Sequence, residues 1–340
     1  MPKHPTLNDV ARAVGLAPAT VSYALRGERG SADTVRRVRE AAAELGYRID
    51  PIASALASGR TGTVAVLCGS TRDLWQRTLA TDLARAFMAR GRRALLADAD
   101  GDGERERELL DTLRSQRPDG IVVAALDPFA GHWEELAARV PVLAVGDRLP
   151  TAPSAGAVVF DNAAGFAQVF AHLKQLGHRR MTIVLPHRPS TPDRPAERLV
   201  AREAMRHGIE ADLVRSPAAT SDPDELVDWL HDRVLDRAPD HRATAVFCLT
   251  DTLAFAILRA ARHAGLQVPA DLSVVGFEDV EVADLVGPGL TTVDWDQRRL
   301  VDTSVERLLA LVDGDRAAAA VHTVAPTLVV RGSTAPPSRT

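Results

Sequence analysis

Apolar positions follow two different rhythms along this chain. In the first, Leu7, Val10, Ala11 and Val14 recur at i, i+3, i+4 and i+7, one face of a helix that Thr6 can cap with Asp9 in the capping-box position. Gly15 supplies a break, and Pro18 suits the first position of a second helix whose Val21, Ala24 and Leu25 would face the first. Ser31 can cap a third helix, with Val35, Val38, Ala42 and Leu45 inside, Arg36, Arg37 and Arg39 near the rim, and Gly46 at its end. Two short helices joined by a glycine turn are the geometry that lays the second in a DNA major groove, although the same spacing also suits a plain helical hairpin.

The second rhythm begins at Thr63. Short β-rich runs at 63–67, 94–97, 120–124, 142–145 and 158–160 alternate with helical stretches at 75–89, where Leu79, Leu83 and Phe87 share a face, and at 106–115. The beat resumes with runs at 181–185, 213–215, 245–248 and 273–276, and helices near 164–176, 196–206, 225–235 and 253–263. Such alternation predicts parallel sheets covered by helices on both faces. Two blocks of it without a long linker predict an α/β body of two doubly wound lobes, with a ligand cleft beyond the carboxyl ends of the strands.

Between the two rhythms lies a short Ala/Ser-rich stretch around Leu56, too short to be a stable lone helix. From here the chain resembles, over essentially its full length, the LacI/GalR family of bacterial transcriptional repressors. The residues that carry the resemblance are D-V-A-x-x-x-G at 9–15, A-T-V-S at 19–22, L-G-Y at 45–47 and G-R-T-G-T at 59–63. It implies an all-α helix-turn-helix head over 1–47, a hinge segment with a hinge helix over 48–61, and a periplasmic-binding-protein-like (type I) body over 62–331. In that family the chain crosses between lobes three times, which implies one lobe near 62–161 and 292–322 and the other near 162–291 and 323–331. Residues 332–340 are expected as a disordered tail.

The resemblance also implies roles. Pro18, Ala19 and Tyr23 would read bases of operator DNA, Thr20 and Ser22 would hold phosphates, and Thr6 and Arg26 join the same interface. Pro18 and Ala19 cannot make bidentate hydrogen bonds, so readout there would be apolar, while Tyr23 is the best polar reader. Leu56, with Ala53 beside it, matches the leucine that wedges between base pairs from the minor groove. Asp50, Ser54 and Ala57 stand where relatives often carry Asn, Arg and Arg, which removes positive charge from that groove. Effector binding is implied for Ser70, Trp75, Asp147, Arg198, Thr250, Asp251 and Glu278, with a sugar or sugar derivative as the ligand class. Relatives commonly show Asn-Pro-Phe at 73–75, Asn-Asp at 250–251 and Asp at 278, so the pocket departs from its kin. Two heads would read the half-sites of a near-palindrome, as the symmetry of a homodimer requires. The C-terminus carries no apolar heptads, so a dimer rather than a coiled-coil tetramer is expected.

Charge sharpens the division. The 340-residue chain has a net charge of −4, but its first sixty residues hold nine Arg/Lys against six acids, net +3, which leaves −7 for the remainder. A basic head on an acidic body fits a protein that touches phosphates at one end. Cys68 and Cys248 each end an apolar run without metal or redox spacing, as reduced strand-buried thiols of a cytoplasmic protein would. No apolar signal core or membrane span is expected. No P-loop or G-x-G-x-x-G follows a strand, the acidic run at 98–103 lacks its closing calcium ligand, and the ten histidines give no zinc spacing. Neither catalysis nor a cofactor or metal is expected. The rival classes, an exported solute-binding protein or a sugar-modifying enzyme, would need an export signal or a catalytic dyad in the cleft.

Overall fold

The computed structural model describes residues 5–26, 29–47, 59–187, 196–217, 223–235 and 242–338. The hinge residues Ala53 and Leu56 lie outside the described residues, as do Asp50, Ser54 and Ala57. Two compact units divide at Thr61/Gly62.

The head unit holds α1 (Leu7–Val14), α2 (Pro18–Arg26) and α3 (Ala32–Glu44). The Asp9 carboxylate accepts from both the Thr6 backbone N–H (2.9 Å) and its hydroxyl (2.7 Å), which fixes the start of α1. Gly15 ends α1 at φ 68°, a left-handed conformation that residues with a Cβ adopt only under strain. The Ser31 hydroxyl accepts from Thr34 N–H at the start of α3. Among the described residues Val10, Ala11, Val14, Val21, Ala24, Val38 and Ala42 form the buried core, with Leu7, Leu16, Leu25 and Tyr47 packed partly buried against it. Leu45, expected inside, is 41% exposed, because α3 ends at Glu44 and the chain has begun to turn away.

The body is built on two all-parallel sheets. The first takes β1 (Thr63–Cys68), β2 (Arg93–Asp98), β3 (Gly120–Ala124), β4 (Val142–Gly146), β5 (Gly156–Phe160) and a late strand, β11 (Val321–Val324), in the order β11-β5-β4-β3-β1-β2. The second takes β6 (Arg180–Leu185), β7 (Glu210–Arg215), β8 (Ala245–Cys248) and β9 (Ser273–Val275), in the order β7-β6-β8-β9. A two-stranded antiparallel ribbon, β10 (Thr292–Asp294) with β12 (Thr327–Val329), accompanies them.

Every residue of β1 is buried: Val64, Val66 and Cys68 enter one apolar cluster and Ala65 and Leu67 another. Burial on both faces is why such strands read as unbroken apolar runs. The helices between them are α4 (Leu74–Ala89), α5 (Gly103–Ser115), α6 (His132–Ala137), α7 (Asn162–Leu176), α8 (Ala196–His207), α9 (Pro223–Leu230), α10 (Asp251–His263) and α11 (Gln297–Val312). The helix expected over 225–235 is α9 followed by a single π turn, His231–Leu235. Helices α6 and α11 were not anticipated by period.

One apolar cluster runs through both sheets' partners, from Trp75 and Phe87 of α4 through Phe166 and Phe170 of α7 to Phe247, Phe277 and Trp295. The two sheets are thereby tied where the chain passes from β5 to α7, from β10 to α11 and from β11 to β12. The end of the chain corrects the expectation of a disordered tail. Ser333 is fully buried, its carbonyl accepts from Val274 N–H (2.9 Å), and its hydroxyl donates to Val274 O (2.6 Å). Ala335 is held through Ser273 and His178, and Ser338 donates to Ala270 O. Strand β9 borders the second sheet, and its edge groups need partners that a polar Ser/Thr/Pro segment can supply.

Candidate functional sites: a recognition helix and an inter-lobe cleft

Helix α2 divides cleanly between packing and display. Val21 and Ala24 are fully buried against α1 and α3, while Pro18, Ala19 and Thr20 are exposed and Tyr23 is 38% exposed. Ser22 is half-buried. Arg26 ends the helix, and its side chain lies outside what the structure describes. The arginines of the head are not equivalent. Arg12 pairs with Asp9 (3.3 Å), Arg36 with Asp33 (2.5 Å), and Arg37 donates to Val14 O at the end of α1 (3.3 Å). Arg29, just past α2, lies with its guanidinium 5.6 Å from the centre of the Tyr23 ring.

In the body, the crossings gather a line of aromatic rings. Trp75 meets Phe160 edge-on with centroids 5.3 Å apart, Phe160 meets Trp295 at 4.3 Å, and Trp295 meets Phe277 at 4.9 Å. Carboxylates stand at both ends of that line. Asp73 caps α4 by accepting from Gln76 N–H (2.9 Å), and Glu278 follows Phe277 directly. Gln76 in turn accepts from Ser70 N–H through its side-chain oxygen (3.1 Å), so the turn after β1 is held from α4. The Ser70 hydroxyl accepts from Arg72 N–H.

The two carboxylates of the second lobe differ in role. Asp251 is fully buried, accepts from Val280 N–H (2.9 Å) and the Thr292 hydroxyl (2.5 Å), and donates its own N–H to Glu278 Oε2 (3.1 Å). It is a brace between α10, the segment after β9 and β10. Gly276 is what lets it in: a Cβ there would meet Asp251 Oδ1 at 2.1 Å. Thr292 is the hub, its hydroxyl also accepting from Glu278 and Asp279 N–H. Thr250 caps α10 through its hydroxyl to Leu253 N–H (3.2 Å).

Burial sets the acidity of this cluster. It pushes Asp251 up to about 6, against the lowering effect of the Thr292 and Val280 hydrogen bonds. It also raises Glu278 well above the usual carboxyl range, with the Asp73 and Asp251 charges adding to the rise. Asp73 is raised by burial too, opposed by the Gln76 and Trp75 N–H groups and by Arg77. The same cause lifts Cys68 to about 12 and Cys248 higher still, as expected for inert, strand-buried thiols.

Several polar atoms at the crossings have no acceptor or donor among the described residues: Trp75 Nε1, Asn162 Oδ1 at the start of α7, and both side-chain amide atoms of Gln297 at the start of α11. Together with Glu278 and the aromatic line they can meet a ligand that carries both hydroxyls and an apolar face.

Of the residues singled out by sequence, Thr250, Asp251 and Glu278 stand together, and Trp75 reaches them through the ring line. Asp147 is half-buried just past β4. Arg198 is exposed on the first turn of α8 and takes no part in these hydrogen bonds. Sequence reasoning named position 73 only as a departure from the family's pocket pattern, and did not single out Thr292, Gly276, Phe160, Phe277 or Trp295. For Asp73 a signal existed, an N-cap residue before an apolar helix; Thr292 carries none. Among the described residues no group of three or more His, Cys, Asp or Glu is placed to hold a metal ion, and no helix is long and apolar enough to cross a membrane.

A three-helix head with one exposed helix face, followed by an α/β body on two parallel sheets, is the architecture found in ligand-responsive transcriptional regulators. Residues 6–50 match the family of bacterial regulatory proteins called lacI, and residues 170–334 match a periplasmic binding protein-like domain. The head is thus similar to that of LacI-family DNA-binding transcriptional regulators, and much of the body to a periplasmic binding protein-like domain. It is 29% identical over 334 residues to the regulator PtxS of Pseudomonas plecoglossicida, covering 97% of this chain and 95% of that protein. It is 26% identical to the repressor PurR of Vibrio campbellii, covering 96% of this chain and 98% of that one. Among solved structures it is similar to a Lac repressor dimer bound to operator and the anti-inducer ONPF, with a TM-score of 0.81 and 25% identity over 98% of this chain and all of that one. A complex of the regulator CelR with cellobiose gives a TM-score of 0.68 at 25% identity, over 97% and 99% of the two chains. These relatives are transcriptional regulators.

Proposed function

We propose that this protein is a cytoplasmic repressor that binds a near-palindromic operator as a homodimer and releases or tightens it when a sugar or sugar derivative enters the inter-lobe cleft. The observation that carries the reading is the display on α2: positions 18, 19, 20 and 23 face outward while 21 and 24 lock the helix to the head. In this reading Pro18, Ala19 and Tyr23 read bases, Thr20, Ser22, Thr6 and Arg26 hold the backbone, and the segment 48–61 pairs with its twin in the minor groove through Ala53 and Leu56. The unpaired polar atoms and ring line at the crossings support a polyhydroxy ligand held by Trp75, Glu278, Ser70 and Asp147, with Thr250 and Asp251 bracing the second lobe. Arg198, exposed on the first turn of α8, completes the implied set. The Lac repressor dimer and the CelR–cellobiose complex support the dimer and the sugar class.

The test is reciprocal titration. Operator fragments are recovered from genomic DNA with the purified full-length protein, and a sugar panel is titrated with and without them. The coupling expected for such a device is about 1–3 kcal/mol, read as a shift in both affinities. No preference for any fragment over random duplex, with or without ligand, would overturn the assignment.

A further inference from the structure

A guanidinium over an aromatic face is attracted to the ring's electron-rich surface, and it also restricts the ring's rotation. In the head, Arg29 takes that position over Tyr23 at 5.6 Å, while Arg12, Arg36 and Arg37 are engaged elsewhere, with Asp9, Asp33 and the end of α1. Tyr23 has a partly exposed ring, and a tyrosine on a helix surface has several rotamers open to it. A reader that must present one hydroxyl to one base edge loses discrimination if its ring wanders, because binding then has to order it. Arg29 is contributed by the segment after α2 rather than by the helix, so it can act as a stop on the ring from outside the helical surface. Its charge also remains close to where α2 meets phosphates.

We infer that Arg29 is a specificity-determining positioning residue: stacked on Tyr23, it fixes the ring for base reading. This rests on the reading of Tyr23 as a base contact. A mere phosphate contact would strengthen binding to every duplex alike, whereas a positioning residue acts through Tyr23 and on one base pair.

The full-length protein and its selected operator provide the test, with single-base operator variants and random duplex measured across a salt series. Tyr23→Ala first identifies the base pair that Tyr23 reads. Arg29→Ala is expected to lower operator affinity by about tenfold and to flatten discrimination at that same base pair. In the Tyr23→Ala background the same change should add little to the loss of discrimination, since the two act as a unit. Arg29→Lys, which keeps the charge but not the planar stack, should restore the salt dependence without restoring discrimination. A uniform loss on operator and random duplex, with discrimination intact and the salt slope lower by about one charge, would reduce Arg29 to a phosphate contact and overturn the inference. Additive losses of discrimination in the double variant would overturn it as well. If Tyr23→Ala itself leaves discrimination untouched, the base-reading role of Tyr23 fails and the inference with it, while operator binding by the wild-type protein would still stand. Arg29 is exposed and outside the head's core, and melting of each variant checks that the head stays folded.

Discussion

The head and the body solve opposite problems. Among the described residues the fully buried core of the head is Val and Ala, with Leu7, Leu16, Leu25 and Tyr47 packed partly buried against it, and one short helix displays its exposed side chains outward. Among the described residues the body has three apolar clusters, one of which holds buried Trp and Phe together, and its candidate site is assembled inward from residues as distant as Asp73, Asp251, Glu278 and Thr292. A small unit with little apolar surface to bury is the weaker of the two, yet its function depends on one local element. The larger unit buries far more apolar surface, and it carries the buried carboxylates Asp251 and Glu278.

The strongest way to break that comparison is Val21→Asp, which puts a carboxylate into the head's core. It should cost the head more than about 3 kcal/mol and unfold it, removing operator preference while the body's melting transition stays in place. A loss of the body's transition would show that the two units fold as one. Next is Gly276→Ala, where the new methyl collides with the Asp251 carboxylate. A loss of about 2–3 kcal/mol from the body by denaturant unfolding is expected, with operator preference retained in the absence of ligand.

A smaller effect follows from acidity. Asp251 and Glu278 both have folded-state values raised above the ordinary range, so the folded body binds their protons more tightly than the unfolded chain. Stability therefore rises as pH falls through about 6 toward the usual carboxyl range, and the penalty returns as pH rises. Relative to Asp251→Asn, the wild-type midpoint should gain about 2–4 °C between about pH 7 and about pH 5. An unchanged difference across that range would contradict the buried-carboxyl account. The smallest expected effect is Ser31→Ala, which removes the cap of α3 and should cost the head about 1 kcal/mol in its own unfolding.

Much of the head was legible because its determinants are local. The 3.6 period, a capping box at Thr6 and Asp9, and a glycine at a left-handed position specify helices without reference to the rest of the chain. The strands of the body were legible for a related reason, since burial on both faces writes itself as apolar runs. Helix α6 was too short for its period to speak, and the docked end of the chain was misread because Ser, Thr and Pro look alike in a tail and in a sheet-edge strap. The difference between Glu278 and Asp251 was invisible: both read as cleft carboxylates, and only the Gly276 backbone and the Thr292 hydroxyl turn one of them into a brace.

Sequence alone thus determined most helices and strands to within a few residues, which face of α2 stays outside, and that a basic end is joined to an acidic remainder. Tertiary structure decided which distant groups meet: that Trp75, Phe160, Trp295 and Phe277 line up, that Asp251 is spent inside, and that Arg29 covers Tyr23. The physical reason is range. Propensity, capping and periodicity act over one or two turns, whereas desolvation and stacking depend on neighbours that only the folded chain brings within a few ångströms.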